Sequence, residues 1–365
     1  MLEIYAGKNA LKTIEENGFK QELFTNFLGA SGGPKWFTLF GLDKYLFGDF
    51  FKGRTAELNL IGSSAGAFRA AALCQNAPVE AINRLAYTYA NTAYSNKPTP
   101  KEISTNAIEI VDHLFSNNGT SEVINNKVFK AHFLVAKCNG LTAFDNKFAQ
   151  GAGLLNSMLL NKLDRKLLAK QYQRYIFKSP TSSLSIDDPY RFSNIYQNFT
   201  EENIKSALLA SGSIPMVMSG IKNIAGSKNG TYRDGGIIDY HFDFSLTKTS
   251  NNTKLNEHDG LSENKGLTLY PHFCAEPKAG WFDKSSKRKV LAKSYDNTVL
   301  LSPSEKFIQS LPFNKIPDRT DFTELDAKTR IKYWLEVLEQ TEKLAECFHE
   351  FVEKQDNARV KAFQP

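Results

Sequence analysis

The chain has 365 residues, 41% of them hydrophobic and 23% charged, with a formal net charge of +6. That balance describes a globular chain able to bury a substantial core, not a disordered or collagen-like one. The modest positive charge permits attraction to an anionic membrane surface, but no dense basic run interleaved with aromatics argues for nucleic acid. The four cysteines (Cys74, Cys138, Cys274 and Cys347) are widely spaced and form no C-x-x-C pair, which argues against a disulfide framework or a structural zinc site.

MLEIYAGKNALKTIEENGFK, at the N-terminus, carries charges throughout and lacks the apolar centre of a signal peptide. Nowhere do enough apolar residues run together to span a membrane, so a cytoplasmic protein is expected, with peripheral contact to an anionic membrane left open. The first recognisable unit is FTNFL, then GASGG, then an apolar-periodic helix opened by Pro34, a residue suited to the first helical position. The second is ELNLIG, then SSAG, then AFRAAALCQ. Two strand–turn–helix units in succession predict an α/β fold with a mostly parallel sheet covered by helices.

KAHFLVAKC, 130–138, reads as a further strand. The segment 151–177 reads as a helix, because Leu155, Leu159, Leu163 and Leu167 repeat every fourth residue. Gly151 and Gly153 would be its hinges, and Lys162, Arg165, Lys166 and Lys170 would lie beside its apolar face, an arrangement suited either to covering a core or to meeting anionic head groups. NIKSALLASGSIP is expected to be helical up to the turn at Pro215. GTYRDGGIID runs from strand into glycine turn, 246–266 is a polar aperiodic loop, and GLTLYPHF is a late strand. KSSKRK, 284–289, reads as a solvated loop. An amphipathic helix carrying Ile331, Trp334, Leu338, Phe348 and Val352 closes a single domain, with a motif-bearing core over about 20–245 and a helical end over about 325–355.

A glycine turn between strand and helix aims free N–H groups at an anion. Phosphate is the wrong anion for GASGGPKWF. Counting from Gly29, the P-loop pattern needs Gly where Pro34 stands and Ser or Thr where Trp36 stands, and no dinucleotide fingerprint is present. Gly62-Ser63-Ser64-Ala65-Gly66 supplies the alternative. It matches G-x-S-x-G, a sharp turn that exposes its central serine and sets the Ala65 N–H beside it at a helix start. A serine nucleophile creates an oxyanion needing N–H donors, which Gly32 and Gly33 can supply and Pro34 cannot. The third element is Asp234-Gly235-Gly236, a carboxylate at a strand end, although Asp-Gly is also a common turn.

An upstream glycine loop with a basic residue, G-x-S-x-G, ALLASGSIPMVMSG over 207–220 and the downstream D-G-G together resemble the patatin-like phospholipase family across about the first 245 residues. The resemblance implies a three-layer α/β/α fold acting on lipid acyl esters without a cofactor or metal. It also implies Ser64 as nucleophile, Asp234 as base and no catalytic histidine. The family's loop usually reads G-G-G-x-[RK]-G. Here Ser31 replaces the first Gly and Trp36 the last, so Trp36 would narrow the mouth of the site, while Lys35 would either steer an anionic head group or be solvated. Two other readings stand beside this one. One is an α/β-hydrolase triad completed by His241, His258 or His272, with His113, His132 and His349 structural. The other is a non-enzymatic lipid- or nucleotide-binding protein that keeps the glycine turns for packing.

Overall fold

The computed structural model describes residues 1–248 and 266–365. The strands are β1 Leu2–Ala6, β2 Phe24–Gly29, β3 Leu58–Ser63, β4 Phe129–Cys138, β5 Tyr172–Lys178, β6 Leu184–Asp187, β7 Asn194–Asn198, β8 Ile221–Lys222, β9 Thr231–Asp234, β10 Ser245–Lys248, β11 Leu267–Pro271, β12 Thr298–Pro303 and β13 Val360–Ala362. The main sheet runs β13-β1-β12-β11-β2-β3-β4-β5-β7, with β9 also paired to β4 and β8 to β9. From β12 to β4 every pairing is parallel; β1, β5 and β9 join antiparallel. This is the expected α/β architecture, a mostly parallel central sheet flanked by helices.

β3 and β4 lie at the centre because their side chains are apolar on both faces, as a buried parallel strand requires. Leu58, Leu60, Phe133 and Val135 join one core cluster, while Ile61 and Leu134 join a second on the opposite face. The first face is covered by helices, including α1 Ala65–Leu73, α2 Pro78–Asn91 and α3 Pro100–Phe115. Toward the other face lie α4 Lys147–Leu163, the β6–β10 ribbon and the irregular segments after β9 and β11.

Three elements differ from expectation. The helix expected over 151–177 ends at Leu163, because Asp164 is extended and its carboxylate caps a new turn by accepting the Lys166 N–H (2.9 Å). Aromatic-rich YQRYIFK then pairs with β4 as β5. The helix after Gly33 begins as a 3-10 turn over Gly33–Leu39. The C-terminal helix is divided into α6 Ala327–Gln340 and α7 Glu342–Lys354, following α5 Ile204–Gly212, with a break at Thr341, whose hydroxyl accepts the Gly41 N–H (2.9 Å). The polar stretch 246–266, with His258, lies outside the described residues except at its ends.

Register places the chemistry. Gly29 is opposite Gly62, Ser63 opposite Leu134, and Val135 opposite Asp234. The glycine loop, Ser64 and Asp234 therefore meet beyond the carboxyl ends of β2 and β3, where ligand crevices form in parallel sheets.

Candidate active site

Ser64 has φ 52° and ψ −127°, a left-handed backbone that a non-glycine residue rarely adopts. Its neighbours make the turn possible. A Cβ on Gly62 would lie 2.2 Å from the Gly66 carbonyl carbon, and one on Gly66 would lie 1.7 Å from the Gly29 oxygen. The elbow is so tight against β2 that only hydrogen fits at either position. Its amide is tied down as well: the Ser64 N–H donates to Ser211 Oγ (3.0 Å), which donates to the Leu134 carbonyl (2.7 Å). Ser211 belongs to α5, so the ALLASGSIP segment braces the turn against β4.

Asp234 ends β9 and leads into Gly235 and Gly236. Space explains the two glycines, since a Cβ on Gly235 would lie 2.1 Å from Leu134 O and one on Gly236 2.5 Å from Ser31 Oγ. The carboxylate accepts the Gly236 N–H (2.7 Å), and its own amide donates to Ser213 O (3.1 Å). Ser64 and Asp234 are 7% and 8% exposed. Burial raises the Asp234 pKa above 3.8, against the opposing pull of the Gly236 amide, the Ser64 hydroxyl, Arg319 and Lys284.

Gly32, Gly33, Ser64 and Asp234 line one narrow cleft together with Ile214, Pro215, Trp281, Lys284 and Arg319. The Gly33 backbone is left-handed (φ 57°). The amides of Gly32, Gly33 and Ala65 have no protein acceptor among the described residues. The Ser31 N–H, by contrast, is committed to Tyr240 O (3.0 Å). Ser31 fits where the resemblance expects Gly, because its hydroxyl bonds Ser63 Oγ (2.7 Å), which in turn donates to Asp239 O (2.6 Å).

Two sequence expectations are corrected. Trp36 is 1% exposed and packs in the core against Phe37, because the 3-10 turn carries its side chain away from the cleft. Lys35 is paired with Asp318 (2.7 Å) and lines an adjoining groove with His241, Phe273 and Cys274. Lys284 and Arg319 are the cationic cleft residues that sequence reasoning missed. Lys284 belongs to the KSSKRK run read as solvated; its ammonium lies 4.0 Å from the Tyr240 ring centroid, and burial with the nearby Arg319 lowers its pKa to about 8. Arg319 belongs to no motif.

No described histidine lines the cleft. His241 Nδ1 accepts the Lys278 N–H (2.9 Å), and burial holds the ring's pKa well below 6.5. His241, His272 and Cys274 bring donor atoms within 4.8 Å of one another in the groove. Because the Lys278 amide occupies His241 Nδ1, the hydrogen of the neutral ring sits on Nε2, and that nitrogen has no lone pair for a metal. His272 is buried and bonded through Nδ1 to the Cys274 backbone.

The sequence profile of the family described as patatin-like phospholipase matches residues 59–241, half of the chain. Among solved structures, VipD from Legionella pneumophila is similar at 10% identity and a TM-score of 0.31, over 74% of this chain and 52% of that one, so the chain spans about half of VipD's length. No curated protein matches.

Proposed function

The chain belongs to the patatin-like phospholipase family, a membership that points to lipid acyl hydrolysis, and we propose that it cleaves carboxylic esters of lipids through Ser64 and Asp234. The observation that carries this reading is the pairing itself: a serine on a strained, braced turn and a buried carboxylate share one cleft, with no described histidine in it.

In the proposed reaction the Ser64 hydroxyl attacks the ester carbonyl as Asp234 takes its proton. The carbonyl oxygen becomes an oxyanion between the amides of Gly32, Gly33 and Ala65. The tetrahedral intermediate collapses, the leaving alcohol takes the proton from Asp234, and an acyl-Ser64 ester remains. Water then attacks that ester, giving a proton to Asp234, and the fatty acid leaves as Ser64 regains its hydrogen. An unperturbed Asp at about 3.9 is a weak base, so burial of Asp234 is part of the chemistry: it raises the carboxylate's proton affinity toward what the step needs.

A His241 triad is the second reading. Its Nδ1 is occupied by the Lys278 amide and its ring lines the neighbouring groove. Hydrolysis of a soluble short-chain ester by single variants separates the two. Ser64→Ala and Asp234→Asn should each lose at least about a hundredfold in kcat, while His241→Ala keeps most activity. A folded His241→Ala as inactive as Ser64→Ala would establish the triad instead.

A further inference from the structure

α4, Lys147–Leu163, is inside out. Its buried positions Gln150, Gly153, Ser157 and Asn161 recur at helical spacing and are small or polar. Hydrogen bonds hold this face down: Gln150 to Phe144 O (2.9 Å), Ser157 to Tyr172 Oη (2.8 Å) and Asn161 to Asp283 (2.8 Å). The opposite face carries Phe148 (89% exposed), Leu155, Met158, Leu159 and Leu163 (79% exposed). Exposed Leu141 and Phe144 extend the patch from the preceding turn, which Gly153 lets approach: a Cβ there would lie 2.8 Å from Thr142 N. Scattered apolar residues on a surface need no account, but a contiguous patch marks an interaction site.

The patch is continuous with the cleft. Gln150 accepts the Met216 N–H, and half-exposed Met216 and Val217 directly follow Ile214 and Pro215, which line the cleft beside Ser64. Charge supplies the other constraint. α4 contains Lys147 and Lys162, both exposed, and no acidic residue; Lys166 and Lys170 follow, also exposed. Of the flanking carboxylates, Asp145 is paired with Arg233 and Asp164 caps the next turn. Arg165, expected from the sequence to belong to this cationic rim, is instead buried against Asp283 (3.4 Å).

We infer that α4 and the 214–217 turn form a docking surface for an anionic lipid bilayer: the Phe148–Leu163 face enters the boundary between head groups and acyl chains, the lysines contact lipid phosphates, and the mouth of the cleft is held at the membrane. An interfacial helix has this form, apolar on one side with cations at its margins. The surface rests on the lipid-hydrolase reading only for its purpose. Binding itself needs no catalysis.

Co-sedimentation with vesicles of phosphatidylcholine and phosphatidylglycerol in equal parts tests it. Wild type and Ser64→Ala should pellet equally, and a variant combining Phe148→Glu, Leu159→Glu and Leu163→Glu should lose binding by about tenfold or more. All three positions are exposed, so its melting temperature and its hydrolysis of a soluble short-chain ester should match wild type, while its hydrolysis of vesicle lipid falls. Pelleting of Ser64→Ala holds the docking surface apart from the hydrolase reading, which can fail alone. Absence of wild-type binding, or equal pelleting of the triple variant, would overturn the inference. So would a concentration-dependent dimer abolished by the triple variant, since the patch would then be covered by a second copy.

Discussion

The Ser211 hydroxyl holds the backbone of Ser64: it accepts the Ser64 N–H at 3.0 Å and passes its own hydrogen to Leu134 O at 2.7 Å. One side chain on α5 therefore satisfies a donor on the elbow and an acceptor on the central strand, both buried. Ser211→Ala leaves both groups unpaired, which costs about 1–3 kcal/mol. We expect a lower denaturation midpoint and a fall in kcat larger than any change in KM, because the elbow relaxes while the cleft walls persist. Urea unfolding and steady-state kinetics on one soluble ester check both.

Asp234→Asn should separate activity from stability. Burial raises the native pKa of this carboxyl above its unfolded value, so the fold binds the proton more tightly than the unfolded chain does. Ionisation therefore costs stability: the cost is absent below the unfolded pKa and complete once pH exceeds the native one. Asparagine keeps an acceptor for the Gly236 N–H without the charge. At neutral pH the variant should be inactive yet more stable by about 1 kcal/mol, with the gap to wild type closing in acid. Thermal melts across pH read this directly.

Lys284 and Arg319 set two cations around the cleft that holds Asp234. Burial lowers the Lys284 pKa to about 8, so its charge is lost in mildly alkaline solution. For a substrate with an anionic head group, KM should rise as pH passes about 8, and Lys284→Met should raise KM at neutral pH and flatten that dependence. A neutral ester should show neither effect. Because Lys284 also pulls the Asp234 pKa down, the variant's acid limb should move to higher pH.

Gly66→Ala should not fold. The added methyl would lie 1.7 Å from the Gly29 oxygen, a backbone atom of β2 that cannot turn aside. A loss of more than about 3 kcal/mol is expected, at the extreme of overpacking. Gly151→Ala on α4 is the control, since a Cβ there meets nothing; circular dichroism and soluble expression distinguish them.

LNLIGSSAGAF and TYRDGG carry much of the site in plain sight, because a turn that tight tolerates only glycine at named positions and the spacing survives in the sequence. The central strands are legible for a related reason: burial on both faces leaves Leu58–Ser63 without charge and keeps Ala131–Ala136, between Lys130 and Lys137, almost wholly apolar. What was missed depends on pairings that sequence distance hides. β1 is a short alternating strand whose partners, β12 and β13, lie near the other end of the chain. Lys284 and Arg319 reach the cleft from segments with no pattern of their own. Trp36 departs from the expected mouth position because a 3-10 turn, with a different angular step from an α-helix, carries its indole into the core. The repeat of Leu155, Leu159 and Leu163 in α4 is legible in the sequence, but periodicity says only that a face is apolar. It does not say which side the protein covers, and here the covered side is polar.

The central claim is that Ser64 is the nucleophile and that Asp234 activates it without a histidine. Covalent labelling by a fluorophosphonate, with the modified peptide identified by mass spectrometry, tests it most directly. Wild type and His241→Ala should carry the label on Ser64 at similar rates, Asp234→Asn should label at least about a hundredfold more slowly, and Ser64→Ala should not label. A label on any other residue, or a folded His241→Ala that labels as slowly as Asp234→Asn, would contradict the account.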